Sequence, residues 1–177
     1  DGENTKFDVK LFNSSFDGDM EGVMAALVQG GRVAWRDQQG FTPLLVAAQR
    51  GHIDICGLLL AHGSDVNEMH PVTKDTALHD AAAFGHVALV EALLSWGAAV
   101  DPQNHGGFTP LYQACQEGHL PCVLALLKAG PSPTLPGSDG SIAIHAAAAR
   151  NKVEVVRTLL EHGCHPDTVR YDDEIIR

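Results

Sequence analysis

No stretch of the 177 residues is apolar enough for long enough to cross a bilayer, and Asp1 opens no signal-like segment. An initiating methionine is also missing, as expected of a piece excised from a longer protein. Positive charge is scarce. Lys and Arg number 12 against 22 Asp and Glu, a formal charge of −10, and charged residues make up 19%, below the usual quarter. Such a field repels phosphate backbones and anionic lipid, so no nucleic-acid or membrane partner is expected, whereas a basic protein segment would be steered in. Cysteine is limited to Cys56, Cys115, Cys122 and Cys164, with no pair at metal-finger spacing and no disulfide framework. Packed thiols in a reducing compartment, cytoplasm or nucleus, fit that usage. No glycine-rich phosphate loop follows a strand, no carboxylates are paired, and no nucleophile has a base at workable spacing, so neither an enzyme nor a cofactor is expected.

What is present is a unit that repeats. From Asp37 to Asn67 the chain reads DQQGFTPLLVAAQRGHIDICGLLLAHGSDVN. Gly40 supplies a turn, Thr42 can cap a helix, and Pro43 suits its first position. A short apolar helix runs from Leu44 to Gln49, and Gly51 can end it in the left-handed conformation. A second helix carries Ile53, Ile55, Cys56, Leu59 and Leu60 at helical spacing until Gly63. Neither helix is long enough to stand alone, so the unit needs neighbours. They are there: Thr76-Ala77-Leu78-His79 lies 34 residues on and Thr109-Pro110-Leu111-Tyr112 a further 33. Gly51, Gly85 and Gly118 keep step, as do Gly63, Gly97, Gly130 and Gly163.

This period with its Thr-Pro-Leu-His-x-Ala core resembles the ankyrin repeat family. The resemblance covers Phe7 to Asp167 and implies an all-α solenoid of helix-turn-helix units joined by β-hairpin loops, about five repeats, at approximately 7–36, 37–69, 70–103, 104–136 and 137–167. Residues 1–6 are read as a frayed lead, and 168–177 as a tail or the start of a further degenerate repeat. The first repeat reads as a cap, with Leu11, Met20, Val23, Met24 and Leu27 at core positions and Ser14-Ser15 in place of an alanine pair. The third repeat carries one extra residue in its loop, which should lengthen the tip. The prolines at 131, 133 and 136 argue against a regular hairpin before the fifth repeat. There Asn151 replaces the glycine, as the next best left-handed cap.

Of ten histidines, seven occupy repeated positions (His52, His62, His79, His86, His119, His145 and His162) and read as structural. His79 beside Asp80 is no catalytic pair, because helix neighbours point to different faces. The resemblance implies protein binding through loop tips and the exposed side of the first helices. At the variable positions stand Gln38, Gln39, Phe41, Gln49 and Arg50; Thr73, Asp75, Asp80 and Phe84; His105, Phe108, Gln113, Gln116 and Glu117, with Trp35, Met69, His70 and Tyr112 beside them. Aromatic anchors among amides and charges suit a binding surface, and each ring has the competing role of packing on its neighbour's loop. Trp96 ends a second helix on the convex side and is set apart from this surface. Asn67, eight residues after Leu59 and following Asp65-Val66, resembles ankyrin asparagines hydroxylated by an asparaginyl oxygenase. The chain is thus expected to be a monomeric module that recruits another protein or peptide, or alternatively a structural spacer or intramolecular inhibitory domain of a larger protein.

Overall fold

The computed structural model describes residues 2–166; the tail at 168–177 lies outside them. Ten helices and no strand occur among the described residues, arranged as five antiparallel pairs: α1 (Gly2–Asp17) with α2 (Met20–Val28), α3 (Pro43–Arg50) with α4 (Ile53–Ala61), α5 (Ala77–Ala83) with α6 (Val87–Ser95), α7 (Pro110–Glu117) with α8 (Leu120–Lys128), and α9 (Ala143–Ala149) with α10 (Val153–Glu161). The first helices pack in a row, α1 on α3 on α5 on α7 on α9, and the second helices form a second row behind them.

The local chemistry follows the motif. The Thr42 hydroxyl accepts the Leu45 N–H at 3.4 Å with Pro43 at the helix start, and Gly51 closes α3 at φ 76°. Small residues let the first helices approach: Ala47, Ala81, Ala114 and Ala147 are wholly buried. Histidines then bolt the layers together. Thr76 N–H donates to His79 Nδ1, which leaves Nε2–H to donate to the Phe108 carbonyl of the next repeat at 3.0 Å. His52, His86 and His119 donate the other way, to the carbonyls of Phe16, Gln49 and Ala83. Each of these rings lies on the preceding repeat's glycine, where a Cβ on Gly18, Gly51 or Gly85 would come within 2.7 Å of it. All four cysteines are free and buried; desolvation pushes the Cys56 thiol up to about 12 and Cys122 to about 11.

Several expectations change. With no helix breaker between Glu3 and Asp17, α1 begins at Gly2 and takes in residues 2–6. Met24 is 54% exposed and does not join the core. Ser15 is buried, satisfied by its own helix at the Leu11 carbonyl, and Asp8, also buried, accepts from the Arg32 main chain at 2.7 Å and its guanidinium at 2.6 Å. The loops are tighter than paired strands: Asp37 N–H to Phe41 O, Asn104 N–H to Phe108 O and Gly137 N–H to Ser141 O close the tips, each with a second, inner bond from Gly40, Gly107 or Gly140 back to the first residue's carbonyl. The tip at 137–141 is therefore regular despite the prolines, because the donors it needs belong to Gly137 and Gly140, not to the proline positions. The third tip is longer, His70 N–H reaching Asp75 O, with Lys74 at φ 62° where its sisters have glycine.

Candidate functional site

The exposed side of the first helices and the loop tips form one face, tied together from beneath. Arg36 donates to the Gly40 carbonyl and, at 2.7 Å, to Glu68, whose other oxygen accepts the Thr42 hydroxyl. His105 N–H donates to Thr73 O and Ser138 N–H to Gly106 O, so the third, fourth and fifth tips share main-chain bonds. A face anchored at so many points is held in one arrangement.

The residues singled out from the sequence separate into three groups on this face. Gln38, Gln39, Arg50, Met69, Thr73, Phe84, His105 and Glu117 are exposed; Trp35, Phe41, Gln49, Asp75, Asp80, Phe108, Gln113 and Gln116 are half-buried; His70 and Tyr112 are buried. His70 is drawn in because its Nδ1 accepts the Val72 and Thr73 N–H groups while Nε2–H donates to Gln39 O, which makes it the scaffold of the longer tip. Tyr112 stacks under Phe108 at 4.2 Å, with its hydroxyl 3.0 Å from that of Ser141. Phe41 leans on His70 at 4.5 Å, and Trp35 meets Phe12 edge-on at 5.8 Å. Of the rings singled out, Phe84 stands furthest out, 53% exposed and stacked at 6.4 Å on His86.

Phe84 caps α5 one turn after Asp80, and toward the N-terminal end of that helix lies a concentration of hydrogen-bond acceptors around Asp75. Asn104 donates to Asp75 at 2.8 Å and Gln113 at 3.3 Å, which leaves Gln113 Oε1 enclosed with no donor. Burial, with the Asp75 charge second, pushes the Asp80 carboxyl up to about 7. His79 behind them is held low by its own burial and stays neutral. The spot therefore offers oxygens and wants donors.

Sequence reasoning missed two features here. Phe16 is exposed on α1, with the Arg50 guanidinium 3.9 Å above its ring. It sits one period before Gln49, a signal that the reading of the first repeat as a cap set aside. The acceptor cluster joins residues 29 and 38 apart in sequence and had no linear signal. On the opposite side, Trp96 is 40% exposed and its ring lies along Gly57, in a groove with Leu60, Ala61 and Val66. Asn67 is exposed, and its side-chain carbonyl accepts the Ala99 N–H at 2.8 Å. No group of three metal-binding side chains occurs among the described residues, and none of their helices is long and apolar enough to cross a membrane.

The pattern of the family described as ankyrin repeats matches in three copies, over residues 11–104, 66–136 and 97–170. The chain is 41% identical over 110 residues to the ankyrin repeat and KH domain-containing protein mask-1 of Caenorhabditis elegans, covering 61% of this chain and 4% of that protein. It is 37% identical over 107 residues to the human ankyrin repeat and KH domain-containing protein 1, covering 60% and 4%. With the probable E3 ubiquitin-protein ligase XBOS34 of Oryza sativa subsp. japonica it shares 40% over 83 residues, 46% of this chain and 16% of that one. The chain thus spans a small fraction of these relatives' length, and what it shares with them is the repeated helix pair. With its motif, its period and its stacked helix pairs all of one kind, this chain belongs to the ankyrin repeat family.

Proposed function

We propose that the chain is a protein-binding module, monomeric and without chemistry of its own, that takes an extended or helical segment of a partner across the first-helix face of repeats two to four. Ankyrin repeat proteins generally mediate protein–protein interaction. The observation that carries the finer reading is Phe84, an exposed ring one helical turn from the Asp80 carboxyl, with Gln113 Oε1 lacking a donor beyond it at Asp75. That pairing suits a segment with an apolar side chain for Phe84 and a Lys or Arg for the acceptors. Cytoplasm or nucleus is the proposed compartment, in keeping with four buried free thiols.

A display library of random peptides selected on the immobilised chain tests this. Binders enriched in Lys or Arg next to an apolar residue are expected. Phe84→Ala should cost them on the order of 1–3 kcal/mol, and Trp96→Ala should leave them near wild type. Binders that survive combined replacement of Phe41, Phe84 and Phe108 but are lost with Trp96 would move the working surface to the convex side. We propose Asn67 as a hydroxylation site on its Leu59-to-Asn67 resemblance and its exposure; peptide mass analysis of chain made in human-like cells should show one added oxygen there, and its absence removes the assignment.

A further inference from the structure

Three hydroxyl side chains stand directly before a proline: Thr42, Thr109 and Ser132. The fold treats them differently. Thr42 and Thr109 are buried at helix starts, where each side-chain oxygen accepts a main-chain N–H, from Leu45 and from Tyr112. Ser132 is exposed, four residues after the end of α8 and outside any helix, with a proline on either side. Its carbonyl accepts the Leu135 N–H at 3.3 Å, so Pro133 and Thr134 form the bend of a turn. A hydroxyl so placed can be reached by another protein's active site without opening a helix or the core.

The same turn in the second repeat shows what an anion does at this register. There Asp65 holds the position of Ser132; its carbonyl accepts the Glu68 N–H, and its carboxylate accepts the Asn67 N–H at 2.9 Å. The N–H at the matching place after Ser132 belongs to Thr134 and makes no hydrogen bond among the described residues. What differs is the layer behind. The Ala99 N–H, at the register of Ser132, goes to the neutral side-chain carbonyl of Asn67, whereas the Ser132 N–H goes at 2.7 Å to Oδ2 of Asp101, a carboxylate in the place of that asparagine. Asp101 Oδ1 is enclosed with no partner, and burial pushes the carboxyl above its ordinary range against the pull of the Ser132 N–H. This bond joins the loop that enters α7 to the loop that enters α9.

We propose that Ser132 is a phosphorylation site for a proline-directed protein kinase, and that its phosphate loosens the Asp101 bond between these two loops. In the transfer the Ser132 Oγ attacks the γ-phosphorus of ATP; the Oγ–P bond forms, the bond from that phosphorus to the β–γ bridging oxygen breaks, ADP leaves, and the hydroxyl proton passes to the kinase's aspartate. The product carries a charge of about −1.5 to −2 at pH 7. One of its oxygens can take the Thr134 N–H, as the Asp65 carboxylate takes that of Asn67. The rest of the charge lies next to the main-chain N–H that Asp101 holds, and repulsion between two anions so close, one of them half-buried, works against the bond. Lys128, the cation next in sequence, ends α8 and is exposed, where solvent screens it.

Incubating the folded chain with ATP, Mg2+ and a recombinant proline-directed kinase, followed by peptide mass mapping and thermal melting, tests both parts. One phosphate is expected, on Ser132 and on neither Thr42 nor Thr109, and none on the Ser132→Ala chain. The phosphorylated chain should melt about 2–6 °C lower than the unmodified one. Asp101→Asn, which gives this loop the residue that its sister has at Asn67, should fold and should lose most of that difference on phosphorylation. No phosphate on Ser132 of the folded chain overturns the site, whether or not a free peptide of residues 128–137 accepts one. A melting point that does not fall, or that falls as far with Asp101→Asn, overturns the action on Asp101.

Discussion

At one end of the stack Ser15 donates its hydroxyl to the Leu11 carbonyl and Asp8 is enclosed under Arg32; at the other end Ala148, Val153 and Leu160 stand exposed. Both ends follow the same 33-residue pattern, so their difference is a matter of neighbours. A position in a solenoid is buried by the repeat that follows or precedes it, not by its own residue type. At the first end these positions are covered by α3, which packs on α1. At the last end no described helix lies beyond α9 and α10.

The largest effect should come from paired truncations inside and outside the covered stack. Leu126→Ala, at a position with no exposure, should cost about 2–5 kcal/mol in urea unfolding, and Leu160→Ala at the open end under about 1 kcal/mol. Equal costs would erase the contrast between covered and uncovered repeats.

Arg32→Met sharpens the other side of it. Removing the guanidinium leaves Asp8 enclosed without its cation, and the carboxyl that Arg32 holds below its ordinary range should rise. A depressed carboxyl contributes stability above its unfolded value that is lost as pH falls through the folded one, so the variant should lose that acid-range dependence along with thermal stability. Ala148→Arg, at an exposed position, should be nearly silent. If the two changes are reversed in severity, the ends have been misread.

Between the ends, Asp80 makes a pH-dependent comparison. Its folded carboxyl titrates at about 7 against an ordinary 3.8, so the fold holds more protons than the unfolded chain between those values and loses stability as pH rises through that window. Asp80→Asn should therefore stabilise by on the order of 1–3 kcal/mol at pH 8 and give no such gain at pH 3.5, read as unfolding midpoints at the two pH values. A gain of equal size at both would show that charge burial is not its source.

The smallest effects concern the two left-handed non-glycine residues. Lys74→Gly, at φ 62°, should gain up to about 1 kcal/mol, and Asn151→Gly, at φ 55°, only a few tenths, because asparagine tolerates that conformation and lysine does not. Urea midpoints separate them, and a larger gain at Asn151 would contradict the ranking.

The fold was legible because each signal is local: Thr42 before Pro43, Gly51 at the helix end and Asn151 in the glycine position need only their immediate neighbours. The longer third tip could be counted from one extra residue. The regular fifth tip was misjudged because counting prolines does not say which donors a turn uses. The face of the site was readable from the period, but its rings were not. Whether Phe41 or Phe108 stands free depends on His70 and Tyr112 beneath them, and the acceptors of Asp75, Asp80 and Gln113 come together only through stacking. Asp8 gave no sign of its partner 24 residues away.

The measurement that bears most directly on the binding face is the titration of the Asp80 carboxyl carbon by NMR, with and without a selected peptide carrying Lys or Arg. A cation seated on the acceptors favours the ionised carboxylate, so the midpoint should fall from about 7 toward the ordinary range as the peptide saturates, with resonances of Phe84 and Gln113 shifting in step. An Asp80 midpoint that does not move while the Trp96 indole shifts would contradict the account.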